Sequence, residues 1–208
     1  MADDQEPNRH VVDPTKLPAD YPTHLHSPEF WAALGRTVAT FGFLEQMLGK
    51  AILSFTATRH YEDDEIEAAF DEWLPTLKRA LSDPLGGLIE SYGKAVRANK
   101  EATIENLDEL IAHLREASAM RNALCHGSWG PPDDKGRSVP FFVDRKDRVF
   151  GSAVDVAFLQ QVQQHAAELA CAVVNTVTHM GWQFPGSSGP GNPILQTQSA
   201  CAPKEERI

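Results

Sequence analysis

The sequence predicts a mainly α fold, a bundle of long helices with one small β-hairpin inserted before the last of them. Three observations carry this. Apolar residues recur every three or four positions over several long stretches, the spacing of a single helix face. Serine, aspartate, proline and glycine stand where those stretches begin and end. Between the last two stretches, Ser138-Val139-Pro140-Phe141-Phe142-Val143 and Arg148-Val149-Phe150 read as two short strands around a polar turn at Asp144 to Asp147.

The elements follow in order. Residues 1–26 carry Pro7, Pro14, Pro18 and Pro22 among polar residues with little periodicity, the pattern of a flexible or loosely docked arm. Ser27-Pro28-Glu29 starts the first helix: serine caps, proline suits the first turn, and glutamate favours the positive helix end. Its stripe is Phe30, Leu34, Val38, Phe41, Leu44, Leu48, Ile52 and Phe55, which carries it to about Thr56. A second helix is expected from Asp63 to Ala80, with Ile66, Phe70, Trp73, Leu74 and Leu77 on its apolar side and Pro75 as a kink or break. Ser82-Asp83-Pro84 opens a third, weakened by Gly86, Gly87 and Gly93.

A fourth helix is expected from about Thr103 to Leu124 or Cys125, burying Leu107, Leu110, Ile111, Leu114, Ala117 and Leu124, with Gly127 to stop it. The hairpin spans about 137–151. Asp155 then caps a last helix from Val156 to about Met180. One helical domain, 27–181, is followed by a Gly-, Pro- and Ser-rich flexible tail, 182–208.

Composition bounds the function. With 42% hydrophobic and 23% charged residues, the chain matches an ordinary soluble globular protein, and no apolar run is long enough to span a membrane. The acidic start Met1-Ala2-Asp3-Asp4 lacks the basic, then apolar, character of a signal peptide, so a cytoplasmic location is expected. Cys125, Cys171 and Cys201 are widely spaced and form no C-x-x-C pair, which argues against a disulfide framework or a zinc cluster. The formal net charge of -10 counts against a general nucleic-acid binder. Charge is uneven, however: Glu62 to Glu109 is acidic, whereas Arg115, Arg121, Lys135, Arg137, Arg145, Lys146 and Arg148 make a mildly basic stretch.

Arg121-Asn122-Ala123-Leu124-Cys125-His126-Gly127 closes the fourth helical stretch. Cations near a helix C-terminus suit its dipole and glycine commonly follows the last turn, so these residues could be a good helix stop and nothing more. Asparagine directly after the arginine, the position on the penultimate long helix, and Phe43-Leu44-Glu45 midway along the first sharpen the pattern. The stretch resembles the Arg-x4-6-His motif of the HEPN superfamily (higher eukaryotes and prokaryotes nucleotide-binding domains).

The resemblance implies a HEPN-like helical bundle over Ser27 to Met180 and a homodimer with its motif helices at the two-fold axis. It implies a metal-independent endoribonuclease with a composite site, of the kind found in bacterial toxin-antitoxin and phage-defence systems. His126 would be the general acid/base, Arg121 the phosphate clamp, and Asn122 would orient the histidine or touch substrate. No cofactor and no metal is expected; RNA is the expected ligand, DNA is not, and an antitoxin or regulatory protein is the expected partner. The alternative is a catalytically inactive dimerisation or ligand/RNA-binding module.

Glu45 is expected either to pair with and position Arg121, or to stand as a solvent-facing or dimer-contact carboxylate. Relatives that carry a tyrosine two residues after the histidine use it as a modification site; Ser128 stands there in this chain, which argues against that regulation. Residues five apart on a helix point about 140° apart, so convergence of Arg121 and His126 requires the helix to end or bend near Cys125. Cys125 reads as a small buried apolar residue. His24, His26, His165 and His179 carry no pattern of their own, and Trp129, Phe141, Phe142 and Phe150 are expected to pack the hairpin on the bundle before serving bases.

Overall fold

The computed structural model describes residues 11–57 and 62–187. Residues 1–10 of the expected arm and 188–208 of the expected tail, with Cys201, lie outside the described residues. The described chain is mainly helical: α1 (Pro28–Thr56), α2 (Ile66–Ser82), α3 (Leu85–Ala98), α4 (Leu107–His126) and α5 (Val156–Thr178), preceded by a short 3-10 helix at Pro14–Lys16. No helix among the described residues is long and apolar enough to cross a membrane.

Capping follows the sequence. The Ser27 hydroxyl accepts from the Phe30 N–H, and the Asp155 carboxylate accepts from the Phe158 N–H, each satisfying an orphan donor of a first turn. α1 is the spine. It packs most extensively on α5 and carries α3 and α2 on its other sides. Phe41, Leu44, Met47, Leu48, Ile52 and Phe55 are fully buried along it and meet Leu159, Ala166, Ala170, Val173 and Val177 in one continuous core.

The expected α1 stripe holds except at Val38, which is exposed. Thr37 takes the inward place. Its hydroxyl lies 2.9 Å from the Ala33 carbonyl oxygen and 3.0 Å from that of Leu159, so a buried polar group has its partners on both helices of the seam. Deeper in the core, the Tyr92 hydroxyl donates to Thr176 Oγ1 at 2.8 Å, and Thr176 donates to the Val173 carbonyl at 2.7 Å. Burial pushes the Tyr92 phenol up to about 12, so it remains a donor at any physiological pH.

α2 departs from the sequence reading. Pro75 lies inside the helix without dividing it. Ala80 is the one buried residue of the helix, whereas Ile66 and Phe70 of the expected apolar side are exposed. The helix crosses α1 at Gly49, where an added Cβ would lie 2.7 Å from the Ala80 carbonyl oxygen.

The two expected strands do not form: no strand occurs among the described residues. The segment after α4 holds only isolated antiparallel bridges, Ser128 with Phe141, Ser138 with Val154 and Val143 with Val149. Pro140 has no N–H to donate, and the chain turns back on itself twice, so no ladder runs long enough to make a strand. Both turns use one device. Asp133 accepts from the N–H groups of Lys135 and Arg137 and from the Arg137 guanidinium. Asp144 accepts from the N–H groups of Lys146 and Arg148 and from the Arg148 guanidinium. The fourth residue of each, Gly136 at φ 74 and Asp147 at φ 58, takes the left-handed conformation. These bonds hold both carboxyls down at about 2.

Two further segments extend the packed body. His26, just before α1, is buried: it stacks on Phe30, meets the edges of Trp31 and Trp129, and pairs through Nε2 with Ser138 Oγ at 3.1 Å. Beyond α5, Phe184 is buried and Trp182 packs on Phe55, so the core continues past residue 181.

The Tyr92–Thr176 pair sets an order of stabilities. Thr176→Val strands a buried phenol hydroxyl and is expected to cost about 1–3 kcal/mol, more than Tyr92→Phe, expected at about 0.5–1.5 kcal/mol. Urea unfolding midpoints of the two variants check the order.

Candidate functional site

α4 stays regular through His126 and ends at Gly127, whose backbone is extended at φ -70 and ψ 143. The glycine therefore does not stop the helix through a left-handed turn. It is required by close approach: an added Cβ would meet the Ala123 carbonyl oxygen at 2.5 Å and Pro140 Cβ at 2.6 Å. Pro140 seats directly on the end of the helix, and the segment 127–155 folds back along it from there.

This fold-back creates a groove of about 1010 Å3. Pro84–Gly87 at the start of α3 form one wall, the last turns of α4 the floor, and Phe142–Phe150 the other wall. Arg121, Asn122 and His126 all line it. Arg115, Arg145, Lys146 and Arg148 add cations, against the carboxylates of Glu116 and Asp144. A chain of net charge -10 thus gathers basic side chains around one concavity, where low-dielectric walls concentrate their field.

His126 is exposed, and among the described residues no hydrogen bond occupies its imidazole. Arg121 is three-quarters covered. Its Nη2 lies 3.6 Å from Glu45 Oε1, and its Nη1 donates to Asn122 Oδ1 at 3.3 Å. Glu45 therefore reaches Arg121, one of the two roles its position in α1 allowed. Its Oε1 is buried and has no hydrogen bond, so the carboxylate rests on the guanidinium's charge alone. Asn122 is engaged with Arg121; no hydrogen bond joins it to His126 among the described residues.

Arg121 and His126 reach one groove without a bend in the helix near Cys125. They still point about 140° apart around α4, and the groove takes in both side chains. Cys125 between them is exposed, which corrects the expectation of a buried apolar residue. Local desolvation still pushes its thiol up; Arg121 pulls it down and Glu45 adds to the rise. The shift is away from the thiolate, which is the nucleophilic form.

The aromatics divide. Phe142 and Phe150 line the groove and are partly buried, Trp129 joins the His26 cluster, and Phe141 projects into solvent at 69% exposure. The groove wall contributed by Phe142–Phe150 and the start of α3 was not legible as part of a site; only the basic run from Arg145 to Arg148 hinted at it. No group of three His, Cys, Asp or Glu residues able to hold a metal ion occurs among the described residues. Compared with protein-family models, curated proteins and solved structures, the chain shows no significant match.

Two outcomes test this geometry. Gly127→Ala is expected to cost about 1–3 kcal/mol by overpacking against Pro140, read as a lowered urea midpoint. Burial holds the His26 pKa below its ordinary 6.5, so the fold favours the neutral ring. Its contribution to stability is full above pH 6.5 and is lost as pH falls toward the lowered folded value. The urea midpoint should fall between pH 7.5 and 5.5 by more in the wild type than in His26→Asn.

Proposed function

We propose that the chain is a metal-independent endoribonuclease with a HEPN-like bundle, acting in the cytoplasm as a homodimer with a composite site. One observation carries the reading: an exposed, unbonded imidazole, His126, opens on the same basic groove as a guanidinium, Arg121, that Glu45 and Asn122 hold in place. An imidazole buried and bonded to a backbone carbonyl would favour a role in packing the bundle instead.

The chemistry needs an acid/base group and a fixed cation. His126 takes the proton of a ribose 2′-OH, and the 2′ oxygen attacks the adjacent phosphorus. The bond to the 5′ oxygen breaks, that oxygen receives the proton, and a 2′,3′-cyclic phosphate remains. Arg121 faces the phosphate with a planar, permanently charged fork and stabilises the charge that builds on its oxygens. Glu45 sets the position of that fork and acts through Arg121 alone. The family resemblance extends the reading to a toxin-antitoxin or phage-defence role with an antitoxin as regulatory partner. The two bridged arms of 138–150 would then be a hairpin-like addition to the minimal bundle.

Net charge -10 favours a second reading, a binding or dimerisation module without catalysis. Incubation of purified protein with RNA and a matched DNA in excess EDTA separates the two. RNA alone should be cut, and His126→Ala and Arg121→Ala should each slow cleavage by about 100-fold or more. A folded wild type that binds RNA without cutting it, or DNA cut as fast as RNA, overturns the nuclease reading.

A further inference from the structure

The groove wall formed by the segment after α4 holds groups that the cleavage step does not use. The five Arg and Lys side chains that line the groove differ in how far they are committed. Arg115 is paired with Glu90, Arg148 with Asp144, and Arg121 with Glu45. Arg145 and Lys146 are exposed, and among the described residues their side chains have no ion pair or hydrogen bond. Both stand on the turn that Asp144 fixes through the N–H groups of Lys146 and Arg148. Their place is set while their charge stays free to meet an anion. Of the two carboxylates in the lining, Asp144 is spent on Arg148 and on the turn. Glu116 lies ten residues before His126, about 15 Å away along α4, and so does not oppose an anion at the catalytic end.

The aromatic side chains of this segment divide by the same test. Trp129 packs into the rings around His26, Phe150 packs against the hydrophobic core, and Phe141 points into solvent. Phe142 lines the groove and is partly exposed. It belongs to no part of the core, and among the described residues its ring has no aromatic partner. Its backbone is held: the Phe150 N–H donates to the Phe142 carbonyl at 2.9 Å, and Val143 is bridged to Val149. A phenyl ring fixed in place, yet not used for packing, gives a nucleobase a face to stack on.

We infer, on the reading of the groove as an RNA-cleaving site, that Phe142 stacks on a base and that Arg145 and Lys146 clamp a second phosphate. The segment after α4 then holds the nucleotide next to the bond that is cut. Arg121 takes the scissile phosphate, the neighbouring phosphate of the same strand falls to the turn, and the base between them lies on the Phe142 ring. A dinucleotide has only the scissile phosphate, so it misses the second contact and makes a poor substrate. Every base has a π-face, so the wall selects for strand length and an unpaired base, and not for sequence.

Binding and cleavage are read separately. Binding is measured by fluorescence anisotropy of a dye-carrying, unstructured RNA strand on His126→Ala protein in excess EDTA. On that background Phe142→Leu, which keeps the bulk and loses the ring, should weaken binding about tenfold, and Phe142→Trp should restore it. Phe141→Leu next to it should leave binding unchanged. Arg145→Ala with Lys146→Ala should weaken binding and reduce the slope of log affinity against log salt by about 0.7, the share of one phosphate on a single strand. With His126 in place, the same changes at Phe142, Arg145 and Lys146 should raise KM and leave kcat nearly unchanged.

RNA binding that survives either Phe142→Leu or the paired Arg145 and Lys146 change overturns the inference, and the nuclease reading stands if the wild type cuts. Binding that responds to both, in a protein whose wild type never cuts, supports the two contacts and overturns the nuclease reading. A folded protein that binds no RNA overturns both. Should Phe142→Leu fail to fold by circular dichroism, a strand of abasic nucleotides on the His126→Ala protein decides. It should bind about tenfold more weakly than the strand with bases, and equal affinity overturns the stacking contact.

Discussion

Along the seam between α1 and α5 the bundle is held by shape and by one hydroxyl. Thr37 places its Oγ1 between the carbonyl oxygens of Ala33 and Leu159, so a single buried donor fixes how far α5 sits along α1. The apolar side chains from Phe41 to Phe55 then meet Ala166 to Val177 in that register. α3 and α4 are packed against this pair, and the groove is the space left between the start of α3 and the end of α4. Sliding α5 by one turn would strand a polar group and reopen the whole seam, which makes the position of the groove a consequence of the α1–α5 register.

The helices were legible because a buried helix face leaves a period in the sequence, and α1, α4 and α5 each bury one face fully. Val38 and Thr37 show where that logic fails: hydropathy favours valine inward, but the inward place falls to Thr37, whose hydroxyl finds carbonyl partners on both helices. α2 shows a different limit. Its apolar period is genuine, yet Ile66 and Phe70 are exposed, because a period reports an amphipathic face and says nothing of what will cover it. The expected hairpin had the right turn at Asp144 to Asp147 and lacked strands, since local propensity cannot report that Pro140 is spent on packing against Gly127. At the site, Arg121, Asn122 and His126 could be named from their order along the chain. The Glu45 contact was one of two readings. The α3 wall, His26 and Ser138 were not legible, because they come from residues far away in sequence and no local pattern announces such neighbours.

The candidate site shows how an acidic chain can present a basic concavity. Arg115 is paired with Glu90 and Arg148 with Asp144, so much of the positive charge in the groove is already compensated. Arg121 is different in kind. Its carboxylate partner lies on another helix at 3.6 Å, beyond hydrogen-bond reach, which leaves the guanidinium held yet incompletely satisfied. A phosphate arriving there would find a donor still seeking acceptors.

The two Asp-to-Arg turns, at 133–137 and 144–148, close entirely upon themselves. Each is a five-residue unit whose carboxylate, amides and guanidinium are all local, so it owes little of its shape to the helices beneath it. Such units can be lengthened, exchanged or recharged between their anchor points without disturbing the bundle. The wall of the groove at 144–148 is in that sense modular: the helices keep the fold while this turn is free to diverge in what it faces.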